Sequence, residues 1–235
     1  MKWIAGYIAA LCVLLIIIAQ SIFIPTFHIM PYFRWHYQQR GIPESIGIDE
    51  EELMHVTTEL LDYMRGRRPD LVIYATVSGV ERQFFSDIEI RHMVDVYELY
   101  RVGFIIRNIS FWLLALLILG MAYFKVRILD LLARCCREVV TGFLMLLAIL
   151  AGVIVWDFDR AFVMFHLIFF DNEYWLLDPT VDLLINMVPL VFFIEISIIV
   201  GALLLIFSAL VIIVSTLYLR ATLPLSETHT VARFR

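Results

Sequence analysis

The sequence predicts an all-α membrane protein: four transmembrane helices with a small external α/β-like subdomain and a short interfacial helix. Three observations predict it. Hydrophobic residues make up 62% of the 235 positions and the mean hydropathy is +0.87, beyond the range of a soluble globular domain. Four long apolar runs, at residues 3–24, 104–124, 139–156 and 188–219, can each cover a hydrocarbon core of about 30 Å. The segments 25–103 and 157–187 are polar and acidic by comparison, and too short to be rich independent domains.

The first run carries no charge, and no small-x-small cleavage site follows it before Pro25, so it is expected to remain as an anchor. Residues 42–47 contain Pro43 and Gly47 and read as a linker. Asp49 followed by Glu52 reads as an N-cap with its capping-box partner. Leu53, Val56, Leu60 and Met64 then form a helical stripe that Gly66 ends. Residues 71–77 and 80–85, separated by Ser78-Gly79, have the composition of a short hairpin. Ser86 with Glu89 is a second capping box, opening a helix expected to continue into the second span. Residues 160–170 would form a helix of only about 16 Å, too short to cross a bilayer, so this segment is expected to lie at the interface, dip in and return, or pack in a crevice between the spans.

Orientation follows from the positive charges in the short loops. Residues 125–138 carry Lys125, Arg127, Arg134 and Arg137, whereas 157–187 carry only Arg160. The former is therefore expected to be a cytoplasmic loop and the latter an external interfacial segment. Four spans then place both termini in the cytoplasm, in agreement with Lys2, Arg220, Arg233 and Arg235. The external segments hold 13 acids against 8 bases and 6 against 1, a sign that repels nucleic acid. Cys12, Cys135 and Cys136 all fall outside them, so no external disulfide is expected.

Two histidines, His92 and His166, fall in separate external segments near membrane level. A titratable imidazole at that depth is a functional candidate, although a histidine satisfied by a backbone carbonyl is the plain alternative. Glu89, His92 and Asp95 share one helix face, so either carboxylate is expected to orient the imidazole, unless the face is merely solvated. Asp171, Asp182 and Glu195 are further acids near the pair, while His28, His36, His55 and His229 are less promising. No Gly-x-Ser-x-Gly elbow and no His-Glu-x-x-His motif occurs, which argues against a serine hydrolase or a zincin. Neither histidine of the pair has a second ligand at tight helical spacing, so no metal and no cofactor is expected. A histidine pair without a protein nucleophile suits acid–base chemistry on a substrate that carries its own nucleophile.

The run Phe165-His166-x-x-Phe169-Phe170-x-x-x-x-Trp175, followed by Asp178-Pro179-x-x-Asp182-x-Leu184-Ile185-x-Met187-x-Pro189-x-x-Phe192-Phe193, resembles the signature of the lipoprotein intramolecular transacylases. Glu89-x-x-His92-Met93-x-Asp95-Val96 and Leu61-x-Tyr63-Met64-x-Gly66 resemble other motifs of these four-span bacterial enzymes. Leu190 departs from the pattern, which is expected to carry Glu after the proline in many relatives. The resemblance implies intramolecular acyl transfer within a diacylated lipoprotein substrate held in membrane lipid. The sn-2 acyl chain moves from glycerol oxygen to the α-amine of the N-terminal cysteine, leaving a lyso-form lipoprotein. It implies His92 and His166 as catalytic residues, with Glu89, Asp95, Phe165, Phe169, Phe170, Asn172, Trp175, Asp182 and Glu195 supporting or binding substrate. The expected arrangement has His92 as base and His166, in apolar surroundings, with a depressed pKa. The cluster Phe162, Phe165, Phe169, Phe170 and Trp175 is expected to line a crevice open sideways to lipid, or else to form an ordinary aromatic belt. The competing classes are a non-catalytic tetraspan assembly or sensor protein and a small transporter. A transporter would show mid-span polarity, whereas Arg107, Asn108 and Glu195 sit near span ends.

Overall fold

The computed structural model describes residues 2–222; His229, Arg233 and Arg235 lie outside the described residues. Four helices are long and apolar enough to cross a membrane: α1 (Lys2–His28), α5 (Asp87–Tyr123), α6 (Ile128–Trp156) and α9 (Leu190–Thr222). Between α1 and α5 come α2 (Met30–Arg40), α3 (Ile42–Ile46), α4 (Glu50–Met64), β1 (Tyr74–Val77) and β2 (Val80–Gln83). Between α6 and α9 come α7 (Phe158–Phe169) and α8 (Leu183–Met187). The expected fold class holds in its broad elements; several boundaries differ, and two of the differences have a clear local cause or consequence. Residues 42–46 are helical where a linker was expected, because Pro43 sits in the first turn, where its missing N–H has no partner to lose. The helix of the third span begins at Ile128 rather than 139, so Arg134 and Arg137 ride on α6 itself.

The chain divides into two compact units. Among the described residues, one comprises 2–18, 107–149 and 203–222. Its described core gathers Ala10, Met121, Leu131, Cys135 and Cys136. Tyr7 donates to Glu138 at 2.7 Å and Tyr218 to Asp130 at 2.9 Å, so polar side chains also join its helices.

The other unit comprises residues 19–106 and 150–202 and holds every candidate site residue. Its core is built on α4, whose Leu53, Val56, Leu60 and Met64 are all buried, as the stripe requires. Asp49 caps α4 by accepting the backbone N–H groups of Glu51 and Glu52. The second half of the expected capping box is replaced, since Glu52 accepts the N–H of Thr76 at 2.8 Å and so ties α4 to the hairpin. Removing the cap by Asp49→Ala is expected to lower stability by about 1 kcal/mol, read as a lower melting temperature of the detergent-solubilised protein. The hairpin pairs Tyr74 with Gln83 and Val77 with Val80 around Ser78-Gly79, both at positive φ as a two-residue turn demands.

The 37-residue α5 is one unbroken helix. At 1.5 Å per residue it runs about 55 Å, well beyond a hydrocarbon core of about 30 Å, so its charged N-terminal part projects past the span. The helix runs through Gly103 without interruption. That glycine admits Phe23, whose ring edge would lie 3.1 Å from a Cβ added there.

Candidate active site

His92 sits just over one turn into α5, and the Ser86–Glu89 box decides where that helix starts. Glu89 accepts the Ser86 N–H and the Ser86 hydroxyl approaches the Glu89 N–H, which are the reciprocal bonds of a capping box. The other oxygen of Glu89 accepts the N–H of Leu184 at the start of α8. Glu89 is 1% exposed. Asp182, also buried, accepts from the Ser86 hydroxyl at 2.9 Å and from the Asp178 N–H at 2.8 Å. One capping motif thereby fastens the start of α5 to the 170–184 loop.

That loop returns from α7, which Asp157 caps through the Arg160 N–H. Asn172 donates to Asp95 at 2.8 Å, and its own oxygen accepts the Tyr174 N–H. Arg91 lies over the Tyr174 ring at 5.5 Å. These ties bring the two histidines together: the rings of His92 and His166 are 5.9 Å apart between centroids, and both residues are buried. At that separation one small group could touch both rings.

The surroundings of His166 are aromatic on several sides. Trp175 stacks on it at 4.8 Å with 29° between the planes, and Phe162 approaches to 4.4 Å. Phe170, 7% exposed, contacts both imidazoles at 5.5 Å. The expected aromatic cluster therefore divides. Phe162, Phe170 and Trp175 enclose the imidazole; Phe165 meets it edge-on at 5.4 Å and also pairs with Phe169, and both of these rings stay partly exposed.

Nδ1 of His166 lies 2.7 Å from the carbonyl of Phe162. A carbonyl only accepts, so Nδ1 carries the proton and a neutral ring leaves its lone pair on Nε2. Burial pushes the His166 pKa below its ordinary value, against the smaller opposing pull of that carbonyl, as its apolar setting led us to expect.

The carboxylate partners expected for His92 are engaged elsewhere. Glu89 is committed to backbone N–H groups and the Ser86 hydroxyl, and Asp95 receives Asn172. Nδ1 of His92 is buried and has no hydrogen-bond partner among the described residues. Helical spacing placed both acids on the right face, but the loop from α7 competes for them. Glu195 is likewise not part of the pair's immediate surroundings. It receives Tyr32, His36 and Arg40, each at 2.7 Å, and so joins α9 to α2. His36, set aside in the sequence, is fully buried in this network. The signal for it was the i, i+4, i+8 spacing of Tyr32, His36 and Arg40, one face of a helix awaiting an acid.

Residues 7–193 match the family model described as lipoprotein intramolecular transacylase Lit. Among solved structures, the chain is similar to the membrane integral lipoprotein intramolecular transacylase Lit from Bacillus cereus. The identity is 18%, with 94% of this chain and 97% of that chain covered and a TM-score of 0.70. A histidine-to-alanine variant of that protein matches at 16% identity and TM-score 0.67, covering 94% of each chain. No curated protein matches the chain.

Proposed function

Because the chain belongs to the lipoprotein intramolecular transacylase family, we propose that its His92–His166 pair carries out intramolecular acyl transfer on diacylated lipoproteins. The single observation that carries the assignment of the site is the convergence of two buried imidazoles from separate segments. The non-catalytic and transporter readings are not favoured beside the family match.

The lipoprotein's N-terminal cysteine brings both reactants. Its α-amine attacks the carbonyl carbon of the sn-2 ester, forming a C–N bond and a tetrahedral oxyanion. His166 is the base, with Nε2 taking the amine proton while the Phe162 carbonyl holds the ring in the matching tautomer. The carbon–oxygen bond to glycerol then breaks and the same proton leaves on that oxygen, so the protein ends as it began. His92, whose buried Nδ1 lacks a partner, accepts the second N–H of the amine and holds it at attack distance. These roles reverse those expected from the helical carboxylates, because the tautomer of His166 is set by a visible bond and His92 has no such partner.

The exposed faces of Phe165 and Phe169 suit contact with acyl chains, letting the substrate approach from lipid. The chain is a multi-pass membrane protein. The charge distribution supports cytoplasmic termini and a site facing outwards at the cell membrane. The direct test is expression in a bacterial host that leaves its lipoproteins diacylated. Mass spectrometry of an N-terminal lipopeptide should show the acyl mass retained but resistant to ester cleavage at the former sn-2 chain. An unchanged diacylglyceryl peptide would reject the assignment.

The pH profile has a predictable sign. Nε2 of His166 must be neutral to act, and its pKa lies below the ordinary value of 6.5, so the base is lost only on falling through that lower value. The substrate amine, with a pKa of about 7.7–8.0, sets a separate limb. Plotted as log kcat/KM, activity should rise with unit slope below about pH 8 and steepen again below about pH 6.5. A second break above pH 7 would contradict His166 as the base.

A further inference from the structure

Among the described residues, four buried polar side-chain atoms lack a hydrogen-bond partner: His36 Nε2, His92 Nδ1, Trp175 Nε1 and Ser208 Oγ. Two of the four belong to residues in ring contact with His166. A buried polar atom without a partner, donor or acceptor, is disfavoured and uncommon in a folded chain. Two of them against one imidazole call for partners that the protein does not provide.

The indole of Trp175 is the more restrictive of the two. Its Nε1–H can only donate, so its partner must be an acceptor. In the reaction derived above, one acceptor gains charge as the reaction proceeds: the sn-2 carbonyl oxygen, which becomes an oxyanion when the amine attacks. The stacking of Trp175 on His166, with ring centroids 4.8 Å apart, holds the indole directly against the base. The aromatic surroundings of His166, from Phe162, Phe165 and Phe170, strengthen any hydrogen bond to a developing charge by keeping water away.

The position of the indole is well supported. Asn172 is fixed to Asp95 at 2.8 Å and accepts the Tyr174 N–H, and Tyr174 also lies under the Arg91 guanidinium. The Leu177 N–H returns to the Trp175 carbonyl at 3.0 Å, closing a tight turn on the tryptophan itself. A donor aimed at a transient charge acts best when it is already fixed before the reaction starts.

We propose that Trp175 is a catalytic residue whose indole N–H donates to the sn-2 carbonyl oxygen and stabilises the oxyanion formed when the cysteine amine attacks. The proposal rests on the transacylase reading above and adds a role for a residue that the motif alone left as aromatic. No group is consumed: the amide forms, the ester breaks, the amine proton passes to glycerol oxygen, and the indole keeps its hydrogen throughout.

Two variants separate the N–H from the ring. Trp175→Phe keeps an aromatic face against His166, and 3-benzothienylalanine introduced at position 175 keeps the full bicycle with sulfur in place of N–H. With purified protein and a synthetic diacylglyceryl-cysteine peptide in mixed micelles, each should lower kcat about 100-fold, the scale of losing one oxyanion donor. KM and melting temperature should stay near wild type. A peptide whose α-amine is acetylated cannot react, and its Kd should be unchanged in both variants, since the bond strengthens only as charge develops. A benzothienylalanine protein with kcat within threefold of wild type would overturn the proposal, as would a loss confined to KM. Wild-type protein that forms no N-acyl product would instead reject the transacylase reading itself, so the two failures are distinguishable.

Discussion

Replacing His166 by alanine should abolish lyso-form production, with a fall in kcat on the order of 100- to 10,000-fold, the usual contribution of a positioned acid–base group. The Phe162 carbonyl fixes the proton on Nδ1, and burial keeps the ring neutral, so Nε2 presents a lone pair at the pH where the enzyme works. Alanine also removes the surface on which Trp175 stacks, so His166→Phe is the sharper variant: it retains an aromatic ring against Trp175 but has no nitrogen. Both should remain in the membrane at wild-type abundance. His92→Ala is expected to fall in the same range, and the double variant should be little worse than either single one, because residues serving one transition state are not additive. Full activity in His166→Phe, measured on a purified lipopeptide, would end histidine catalysis at this position.

The second large effect is on stability. Glu89→Ala should lower the stability of the fold by about 2–4 kcal/mol, because it orphans two backbone donors, each worth roughly 1–3 kcal/mol when left buried and unpaired. Those donors are the N–H groups of Ser86 and Leu184, and Glu89 itself is buried. The expected reading is a drop of roughly 5–10 °C in the melting temperature of the detergent-solubilised protein. Glu89→Gln keeps a carbonyl acceptor and should lose less than half as much. Activity should fall in Glu89→Ala through the loop that carries Trp175, whereas a directly catalytic carboxylate would lose activity equally in the glutamine variant. A melting temperature within 1–2 °C of wild type, on the order of a surface change, would contradict this account.

What could be read from the chain in advance follows from the range of the forces involved. The spans came from apolar runs, the α4 and α5 starts from Asp49 and the Ser86–Glu89 pair, and the hairpin from Ser78-Gly79, all local signals. α2 escaped notice because its eleven residues mix aromatic, basic and polar side chains without an apolar period, although Pro31 marks its first turn. The histidine pair was recognisable as two imidazoles at similar depth, but their partners were not. Helical spacing favoured Glu89 and Asp95 for His92, and it ranks only neighbours on the same helix. A backbone N–H from α8 and an amide from the α7 loop are tertiary competitors, and they took both acids. Glu195 illustrates the same limit: its position near the start of an apolar helix announced a buried charge, but its partners lie more than 150 residues away.

The network on Glu195 also bears on the departure at Leu190. Leu190 begins α9, and the acid that the family pattern leads one to expect there is not replaced by Glu195 at the histidine pair, since that carboxylate is held by Tyr32, His36 and Arg40.

The central claim is that one substrate molecule supplies both the amine and the acyl chain at the His92–His166 pair, and a crossover experiment addresses it most directly. Two diacylglyceryl-cysteine peptides of different sequence are mixed with purified protein, one carrying an isotopically heavy sn-2 chain and the other a light one. Mass spectrometry of the products should find every heavy N-acyl group on the peptide that began with it, and none with His166→Phe protein. Heavy chains appearing on the partner peptide, or N-acyl product formed equally by the His166→Phe protein, would contradict the account.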